Sequence, residues 1–273
     1  MPTMFDVFSL AGRTALVTGG SRGIGRMIAA GFLAQGAKVY ICARKAAQCI
    51  ETAKELSANG GVCIPLPIDI ATVDGARELA DRIAAEAGGR LDILVNNAGA
   101  AWGAEFTEFP EHGWDKVMNL NLKSPFFLTQ ALHGALRAAA TPERPAKVIN
   151  IASIDGIALN PMETYSYHAS KAALIYLTRR MAAKLIADNI VVSAIAPGAF
   201  ASDMNRAARD QGEWIAQHIP SRRIGTPEDM AAAAVYLAAR SGDYVVGSTL
   251  VVDGGLAYAN LPEVSASGRM PPK

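Results

Sequence analysis

The sequence has almost no net charge and no long apolar run. Lys and Arg total 26 against 25 Asp and Glu, which gives a formal net charge of +1. A nucleic-acid-binding protein needs a basic excess to neutralise phosphates, so nucleic acid is not expected as a partner. No stretch approaches the roughly 18 apolar residues of a membrane span, and the first ten residues lack the basic-then-apolar order of a signal peptide. These absences favour a cytoplasmic protein without a membrane partner.

Cysteine is scarce as well. Cys42, Cys49 and Cys63 are the three present, and their spacing is not that of a metal site. An odd number without a pattern is typical of reduced thiols in a cytoplasm. We expect all three to be small buried residues, and we predict no metal site.

Apolar residues, by contrast, are abundant. They make up 51% of the 273 residues, and short β-branched runs alternate with helical patterns. The runs predict strands at residues 14–18, 38–42, 63–67, 93–96, 147–151, 191–195 and 250–252. The helical patterns cover residues 24–35, 46–58, 73–87, 112–139, 164–187 and 228–239. Strands that are apolar on both faces and alternate with helices indicate a parallel sheet covered on both sides.

The predicted fold is therefore α/β, a single doubly wound Rossmann fold with a central parallel sheet of about seven strands and helices on both faces. Residues 1–260 would form one dinucleotide-binding domain with a substrate lid at about 199–225. A C-terminal tail, residues 261–273, has three prolines and no periodicity.

A glycine-rich turn, T-G-G-S-R-G-I-G at residues 18–25, separates the first strand from the first helix. Glycine permits the positive φ angles of a tight turn. The free N–H groups and the dipole of the following helix attract an anion such as a dinucleotide pyrophosphate. The spacing of Gly19, Gly23 and Gly25 differs from G-x-G-x-x-G. Taken alone, the turn is also compatible with a structural turn or a methyl-donor site.

The second strand ends at Ala43, followed by Arg44 and Lys45. In this fold an acidic residue there would bond the ribose 2′-hydroxyl, whereas Arg accommodates a 2′-phosphate. Arg22, in the glycine turn, could reach the same phosphate. The pattern favours NADPH over NADH. The alternative is that Arg44 and Lys45 only solvate the start of a helix.

Tyr167 and Lys171 are four residues apart in a helical pattern, so they share one helix face. A phenol has an unperturbed pKa of about 10, and a nearby ammonium is expected to lower it. The phenol would then donate a proton to a developing alkoxide. Ser153 could hold the substrate oxygen, and Asn121 could order a water chain behind Lys171. An isolated Y-x-x-x-K would be read as a surface pair.

Together these stretches resemble the short-chain dehydrogenase/reductase family. The matching segments occur in family order over about residues 10–256, nearly the whole chain. They are residues 18–25, Asp69, 96–99, 121–122, Ser153, Tyr167 with Lys171, 197–198, 223–228 and 253–255.

The resemblance implies a role for each matching residue. Asn121, Ser153, Tyr167 and Lys171 would be the catalytic tetrad, and Lys171 would also hold the nicotinamide ribose. The other expected cofactor contacts are Gly19, Ser21, Arg22, Gly23, Ile24 and Gly25 at the pyrophosphate, Asp69 and Ile70 at the adenine, Asn97 in the adenosine ribose region, and Pro197, Gly198 and Ser202 at the nicotinamide. Ala98 and Gly99, beside Asn97, and Arg44, at the 2′-phosphate, complete the expected cofactor-binding residues. Ser202 stands where the family usually has Thr.

The resemblance also implies a homotetramer built on the two long predicted helices, residues 112–139 (the first) and 164–187 (the second). Their apolar residues extend beyond one stripe, which suggests burial against another subunit. Phe126, Phe127 and Leu132 belong to this excess in the first helix, and 174–177 in the second. A monomer with wide sheet-facing stripes is the alternative.

Within the family, the sequence is most similar to bacterial NADPH-dependent 3-oxoacyl thioester reductases. The substrate would be a small carbonyl or alcohol, with a carrier-bound acyl thioester as one form. The expected pocket residues are Trp102, Asp155, Met162, Phe200, Met204 and Trp214. Another alcohol, ketone, steroid or polyol is the alternative substrate. A different class, an NADP-sensing protein without catalysis, also stays open.

Overall fold

The computed structural model describes residues 3–58 and 60–259. Seven strands lie in one sheet: β1 (Thr14–Thr18), β2 (Lys38–Cys42), β3 (Val62–Leu66), β4 (Ile93–Asn96), β5 (Ala146–Ile151), β6 (Ile190–Pro197) and β7 (Thr249–Val252). The spatial order is β3-β2-β1-β4-β5-β6-β7, and every pair is parallel. The predicted Rossmann-type α/β fold is thereby confirmed. The predicted tail, residues 261–273, lies outside the described residues.

The helices fill the connections between the strands. They are α1 (Met4–Phe8), α2 (Gly23–Ala34), α3 (Ala46–Ser57), α4 (Val73–Glu86), α5 (Glu111–Met118), α6 (Ser124–Ala131), α7 (His133–Ala139), α8 (Tyr165–Leu185), α9 (Arg206–Asp210), α10 (Gly212–Gln217) and α11 (Pro227–Ala238). The two short helices α9 and α10 lie in the predicted lid. In the part of the chain that the structure describes, no helix is long and apolar enough to cross a membrane.

The sheet buries both of its faces. Successive side chains of a strand point to opposite sides; in β1, Ala15 and Val17 join one core cluster and Leu16 joins the other. Helices α2 and α11 pack against each other on the first side. Because neither face of the central strands β4, β5 and β6 meets water, their sequences are nearly continuous apolar runs.

The region predicted as one helix at 112–139 is three helices. A π-helical turn, Asn119–Lys123, separates α5 from α6, and α6 and α7 are separated at Leu132. Pro125 gives the reason for the first break. A proline has no N–H to donate to the carbonyl four residues earlier, which is that of Asn121, and its ring crowds that carbonyl. The wider π turn accommodates both effects.

Cys42, Cys49 and Cys63 are buried free thiols, as predicted. Burial raises the pKa of both Cys42 and Cys63 to about 12. A thiol reacts as its thiolate, so these two cysteines are inert packing residues at neutral pH.

Candidate active site

Four adjacent strand ends form one edge of the sheet. Strands β1, β4, β5 and β6 are neighbours and run parallel, so their carboxyl ends meet at the same edge. That edge places together the segments after Thr18, Asn96, Ile151 and Pro197. Each of these segments contains residues that the sequence predicts to bind cofactor or substrate.

The start of the glycine turn is hydrogen-bonded to the end of β4 and the segment that follows it. The Thr18 hydroxyl accepts hydrogen bonds from the N–H groups of Asn97 and Ala98 at 2.9 and 3.0 Å and donates to the Val95 carbonyl at 3.2 Å. The Asn97 amide donates to the carbonyls of Thr18 and Gly19 at 2.8 and 3.3 Å. The Asn97 side chain, expected at the adenosine ribose, thus anchors the turn. Sequence reasoning missed the anchoring role of Thr18.

The turn presents backbone donors at a helix start. Gly19 and Gly23 have φ angles of 64° and 51°, which favour glycine. Helix α2 begins at Gly23, and the side chain of the preceding Arg22 makes no capping hydrogen bond. The first N–H groups of α2 therefore have no side-chain cap, and the helix dipole adds partial positive charge there. This donor set fits the pyrophosphate of a dinucleotide.

Both predicted phosphate-binding arginines lie beside carboxylates. Arg22 pairs with Asp203 of the lid at 2.7 Å, and Asp203 also pairs with Arg209 at 2.8 Å. The guanidinium of Arg44 lies 3.8 Å from the carboxylate of Asp69. All five side chains are exposed enough to exchange partners. An incoming 2′-phosphate would therefore compete with carboxylates for these arginines.

The glycine turn also touches the start of the lid. A Cβ added to Gly23 would lie 3.1 Å from the Cβ of Ser202. The Ser202 hydroxyl accepts the N–H of Asn205 at 3.1 Å. Ser202, predicted beside the nicotinamide, therefore bonds to Asn205 within the predicted lid and lies next to the turn.

Tyr167 and Lys171 share a face of α8, as their spacing predicts. The Lys171 ammonium lies 5.5 Å from the centroid of the Tyr167 ring and donates to the Ile151 carbonyl at the end of β5 at 2.7 Å. The Ser153 hydroxyl lies within hydrogen-bonding reach of the Tyr167 phenol. A Cβ added to Gly99 would come within 3.8 Å of the ammonium. The Asn121 amide oxygen would lie 3.3 Å from the same Cβ, so the structure gathers all four predicted catalytic side chains at the sheet edge.

The pKa of Tyr167 is shifted opposite to the prediction. Burial raises the pKa of Tyr167 to about 12, with the hydrogen bond from Ser153 acting against this and the charge of Asp155 acting with it. Burial also lowers the pKa of Lys171 to about 8, opposed by the charge of Asp155. Desolvation disfavours the charged form of each group. The phenol is therefore a protonated acid at neutral pH, able to donate a proton.

Asn121 uses its side chain in a way that the sequence did not predict. The amide nitrogen donates to the Ala100 carbonyl at 2.9 Å and to the Ser170 hydroxyl at 3.1 Å. Its oxygen accepts the N–H of Ala100 at 2.8 Å. The amide thus ties the π turn to α8 and to the segment after β4. Its backbone carbonyl cannot accept a hydrogen bond from Pro125, which has no N–H.

Hydrogen bonds between buried polar side chains join β4 and β5 to α6 and α8 near this edge. The Asn96 amide donates to Asn150 at 2.9 Å and to Thr129 at 3.2 Å. The Asn150 amide donates to Thr178 on α8 at 2.9 Å. Satisfied buried networks rigidify a core. Sequence reasoning missed these residues because apolar runs surround the two asparagines.

The apolar residues predicted for the pocket divide into three groups. The Trp102 ring stacks edge-on against His112 at 4.9 Å and lies under Lys116 of α5 at 5.1 Å. Phe200 is buried in the core beneath the lid, so the structure does not place its ring on a pocket wall, contrary to expectation. Exposed apolar side chains near the lid or the segment after β5 are Met162, Met204 and Trp214.

Tyr165, two residues before Tyr167, lies away from Lys171. Its hydroxyl donates to the Glu163 carboxylate at 3.0 Å, and its ring stacks edge-on with those of Phe106 and Phe109. Of the two tyrosines, Tyr167 is the one placed to act with Lys171.

Comparison with known proteins agrees with this geometry. A family model described as Enoyl-(Acyl carrier protein) reductase matches residues 19–257. The chain belongs to the short-chain dehydrogenase/reductase family. This description and the names of most relatives are those of reductases or dehydrogenases, so the predicted oxidoreductase class is confirmed.

Several relatives of this short-chain dehydrogenase/reductase span nearly its whole length. The rhamnolipids biosynthesis 3-oxoacyl-[acyl-carrier-protein] reductase of Pseudomonas aeruginosa is 49% identical, over 92% of this chain and 99% of that protein. The solved Pseudomonas aeruginosa RhlG/NADP active-site complex gives a TM-score of 0.89 at 49% identity, covering 92% and 99% of the two chains. The 2-dehydro-3-deoxy-D-gluconate 5-dehydrogenase of Escherichia coli is 38% identical, over 92% and 98%. The predicted likeness to 3-oxoacyl thioester reductases is confirmed.

Proposed function

We propose that the protein is an NADPH-dependent reductase that converts a ketone to a secondary alcohol, with a 3-oxoacyl thioester as its substrate. The observation that carries the proposal is the placement of Ser153, Tyr167 and Lys171 at the same sheet edge as the glycine turn. Cofactor and substrate class are supported by the names of the 49%-identical relative and solved structure. The exposed apolar side chains near the lid suit an acyl chain.

Each side chain would have a separate role at the reacting carbonyl. When bound, the nicotinamide would supply the hydride to the carbonyl carbon. The Ser153 and Tyr167 hydroxyls would hold the carbonyl oxygen, and Tyr167 would donate its proton to that oxygen. The Lys171 ammonium would stabilise the phenolate left behind. The backbone carbonyl of Asn121 would hold a water that returns a proton towards Lys171.

The direct test is NADPH oxidation with acetoacetyl-coenzyme A, with NADH in parallel. Turnover with NADPH and none with NADH would support cofactor and substrate class together. The gluconate dehydrogenase relative gives a second candidate, oxidation of a secondary alcohol in a sugar acid, which 2-dehydro-3-deoxy-D-gluconate with NADP⁺ would test. Bound NADPH without turnover of any carbonyl would instead favour a cofactor-sensing protein.

Replacing Arg44 by Ala should weaken NADPH binding by about 10- to 100-fold, because a charge-assisted hydrogen bond to a phosphate is lost. NADH binding should change little, since NADH has no 2′-phosphate. Dissociation constants from fluorescence titration check this.

The neighbouring cation supplies the matched control for that variant. Lys45→Ala removes a positive charge at the start of α3 without removing the Arg44 fork. Equal losses in the two variants, or an equal loss for NADH, would contradict the assignment of Arg44 to the 2′-phosphate.

Reduction should slow as the pH rises above about 8. The lowered pKa of Lys171, about 8, means that its ammonium is lost from that pH upward. Tyr167, with a pKa of about 12, stays protonated over the same range. We expect kcat/KM for ketone reduction to be flat below about pH 8 and to fall by up to tenfold per unit above it. A profile that is flat to pH 10 would contradict a role for the charged ammonium.

We further propose a cytoplasmic homotetramer that forms through α6 and α8. Phe126 on α6 and Tyr176 on α8 remain exposed. Leu132, Leu174 and Ile175, which the sequence assigned to the same faces, are buried within the protomer. Sedimentation analysis of Tyr176→Glu against the unmodified chain would test this interface. For the proposed 3-oxoacyl thioester substrate, we propose a carrier protein that bears the acyl group as a macromolecular partner.

A further inference from the structure

The backbone of Asp155 is hydrogen-bonded to the Ser153 hydroxyl. The N–H of Asp155 donates to Ser153 Oγ at 3.1 Å, within the short 3₁₀ turn Ile154–Gly156. A Cβ added to Gly156 would lie 2.6 Å from the carbonyl carbon of Lys171. The turn therefore lies directly against the backbone of α8, and the position of Asp155 relative to the site is fixed.

The carboxylate of Asp155 is also held by a side chain. The Asn160 amide donates to Asp155 Oδ1 at 2.9 Å. The Asn160 oxygen in turn accepts the N–H of Met162 at 2.8 Å. Since Asn160 is itself oriented, the carboxylate has a defined direction as well as a defined position.

The charge of Asp155 reaches the groups that hold the reacting carbonyl. It raises the pKa of Tyr167 and acts to raise the pKa of Lys171. The Lys171 ammonium donates a hydrogen bond to the Ile151 carbonyl. It also interacts electrostatically with the Asp155 carboxylate. Burial raises the pKa of Asp155, and the charges of His168 and Lys171 and the hydrogen bond from Asn160 act against this rise. A poorly solvated charge is weakly screened. Asp155 therefore adds a negative charge that opposes the positive charge of Lys171 near the Ser153 and Tyr167 hydroxyls.

We propose that Asp155 makes this site select ketones that carry no anionic group next to the reacting carbonyl. The inference rests on the proposed ketone reduction and narrows its substrate class. A 3-oxoacyl thioester has an uncharged carbonyl two carbons from the ketone. The free 3-oxo acid has a carboxylate there, which Asp155 would repel.

Methyl acetoacetate and acetoacetate test the charge alone, because they share the reacting ketone and differ in the ester and the carboxylate. The measurement is kcat/KM for both substrates with NADPH, in the unmodified enzyme and in Asp155→Asn. We expect the variant to raise the acid-to-ester ratio at least about tenfold, as removal of one close like charge predicts.

Glu163→Gln is the matched control. Glu163 is an exposed carboxylate on the same connection, bonded to the Tyr165 hydroxyl at 3.0 Å. It should retain the ratio of the unmodified enzyme. A rise equal to that of Asp155→Asn would show a general charge effect and overturn the assignment to Asp155.

A binding measurement gives a readout without catalysis. Calorimetric titration of acetoacetate into the NADP⁺-loaded protein should show about tenfold tighter binding in Asp155→Asn. An unchanged ratio together with unchanged binding would overturn the inference and leave the proposed reductase standing. If the unmodified enzyme reduces neither the ester nor acetoacetyl-coenzyme A, the proposed function is overturned. The titration would still decide the role of Asp155 in that case.

Discussion

Replacing Tyr167 by Phe is expected to lower kcat for ketone reduction by about 10³-fold or more. The change removes one oxygen atom, the one that would donate a proton to the developing alkoxide, and general acid catalysis typically contributes 10²–10⁴-fold. The Phe ring fills the same space beside Lys171, so the fold and the glycine turn should be unaffected. Steady-state kinetics and NADPH titration together measure the two effects.

The second tyrosine provides the control for this experiment. Tyr165→Phe removes the bond to Glu163 and no group near Lys171, so kcat should stay near that of the unmodified enzyme. Full activity in Tyr167→Phe would refute the proton-donor assignment. Loss of NADPH binding in that variant would indicate a structural role for the phenol instead.

Replacing Lys171 by Met should abolish most activity without lowering stability at neutral pH. The activity loss is expected at about 10²–10³-fold in kcat, comparable with removal of one preorganised charge-stabilising donor. Stability behaves differently because the buried ammonium is itself unfavourable. Burial lowers the pKa of Lys171 from 10.5 to about 8, which corresponds to about 3 kcal/mol of destabilisation.

The sign of that contribution follows from the two pKa values. Below about pH 8 the lysine is charged in both folded and unfolded chains, and the full destabilisation is present. Between pH 8 and 10.5 the folded chain loses its proton first, and the destabilisation fades. Methionine removes it, while the unpaired Ile151 carbonyl costs about 1–3 kcal/mol.

Unfolding of the Lys171→Met variant in urea at pH 7 and pH 10 measures this balance. We expect a midpoint at or above that of the unmodified protein at pH 7, with the difference shrinking towards pH 10. A clearly lower midpoint at pH 7 would contradict the argument from burial. Lys184→Met, at the end of the same helix, controls for an added methionine on α8.

The strands were the most predictable part of the fold. Strands β1, β2 and β4 have the predicted bounds, and β3 is displaced by one residue. Burial on both faces produces continuous apolar runs, so the sequence carries a direct signal. Pro125 also carried a signal for the broken helix, because a proline inside a helical pattern ends or distorts it.

Parts of the site depend on contacts that spacing does not encode. The i,i+4 rule brings Tyr167 and Lys171 together, but the pair Arg22 and Asp203 joins residues 181 positions apart. The direction of the Tyr167 shift depends on burial, which a motif does not report. Phe200 reads as a lid residue, yet its ring packs where Gly225 has no side chain. These features are fixed by tertiary packing.

The bonds that join Thr18 and Asn97 have a consequence for the thermodynamics of cofactor binding. They hold the glycine turn in its bent shape through protein–protein contacts alone. A dinucleotide that binds there meets a preorganised set of N–H groups and does not have to order the turn. The conformational entropy of this segment is therefore lost when the chain folds, and the affinity for the pyrophosphate is not reduced by it.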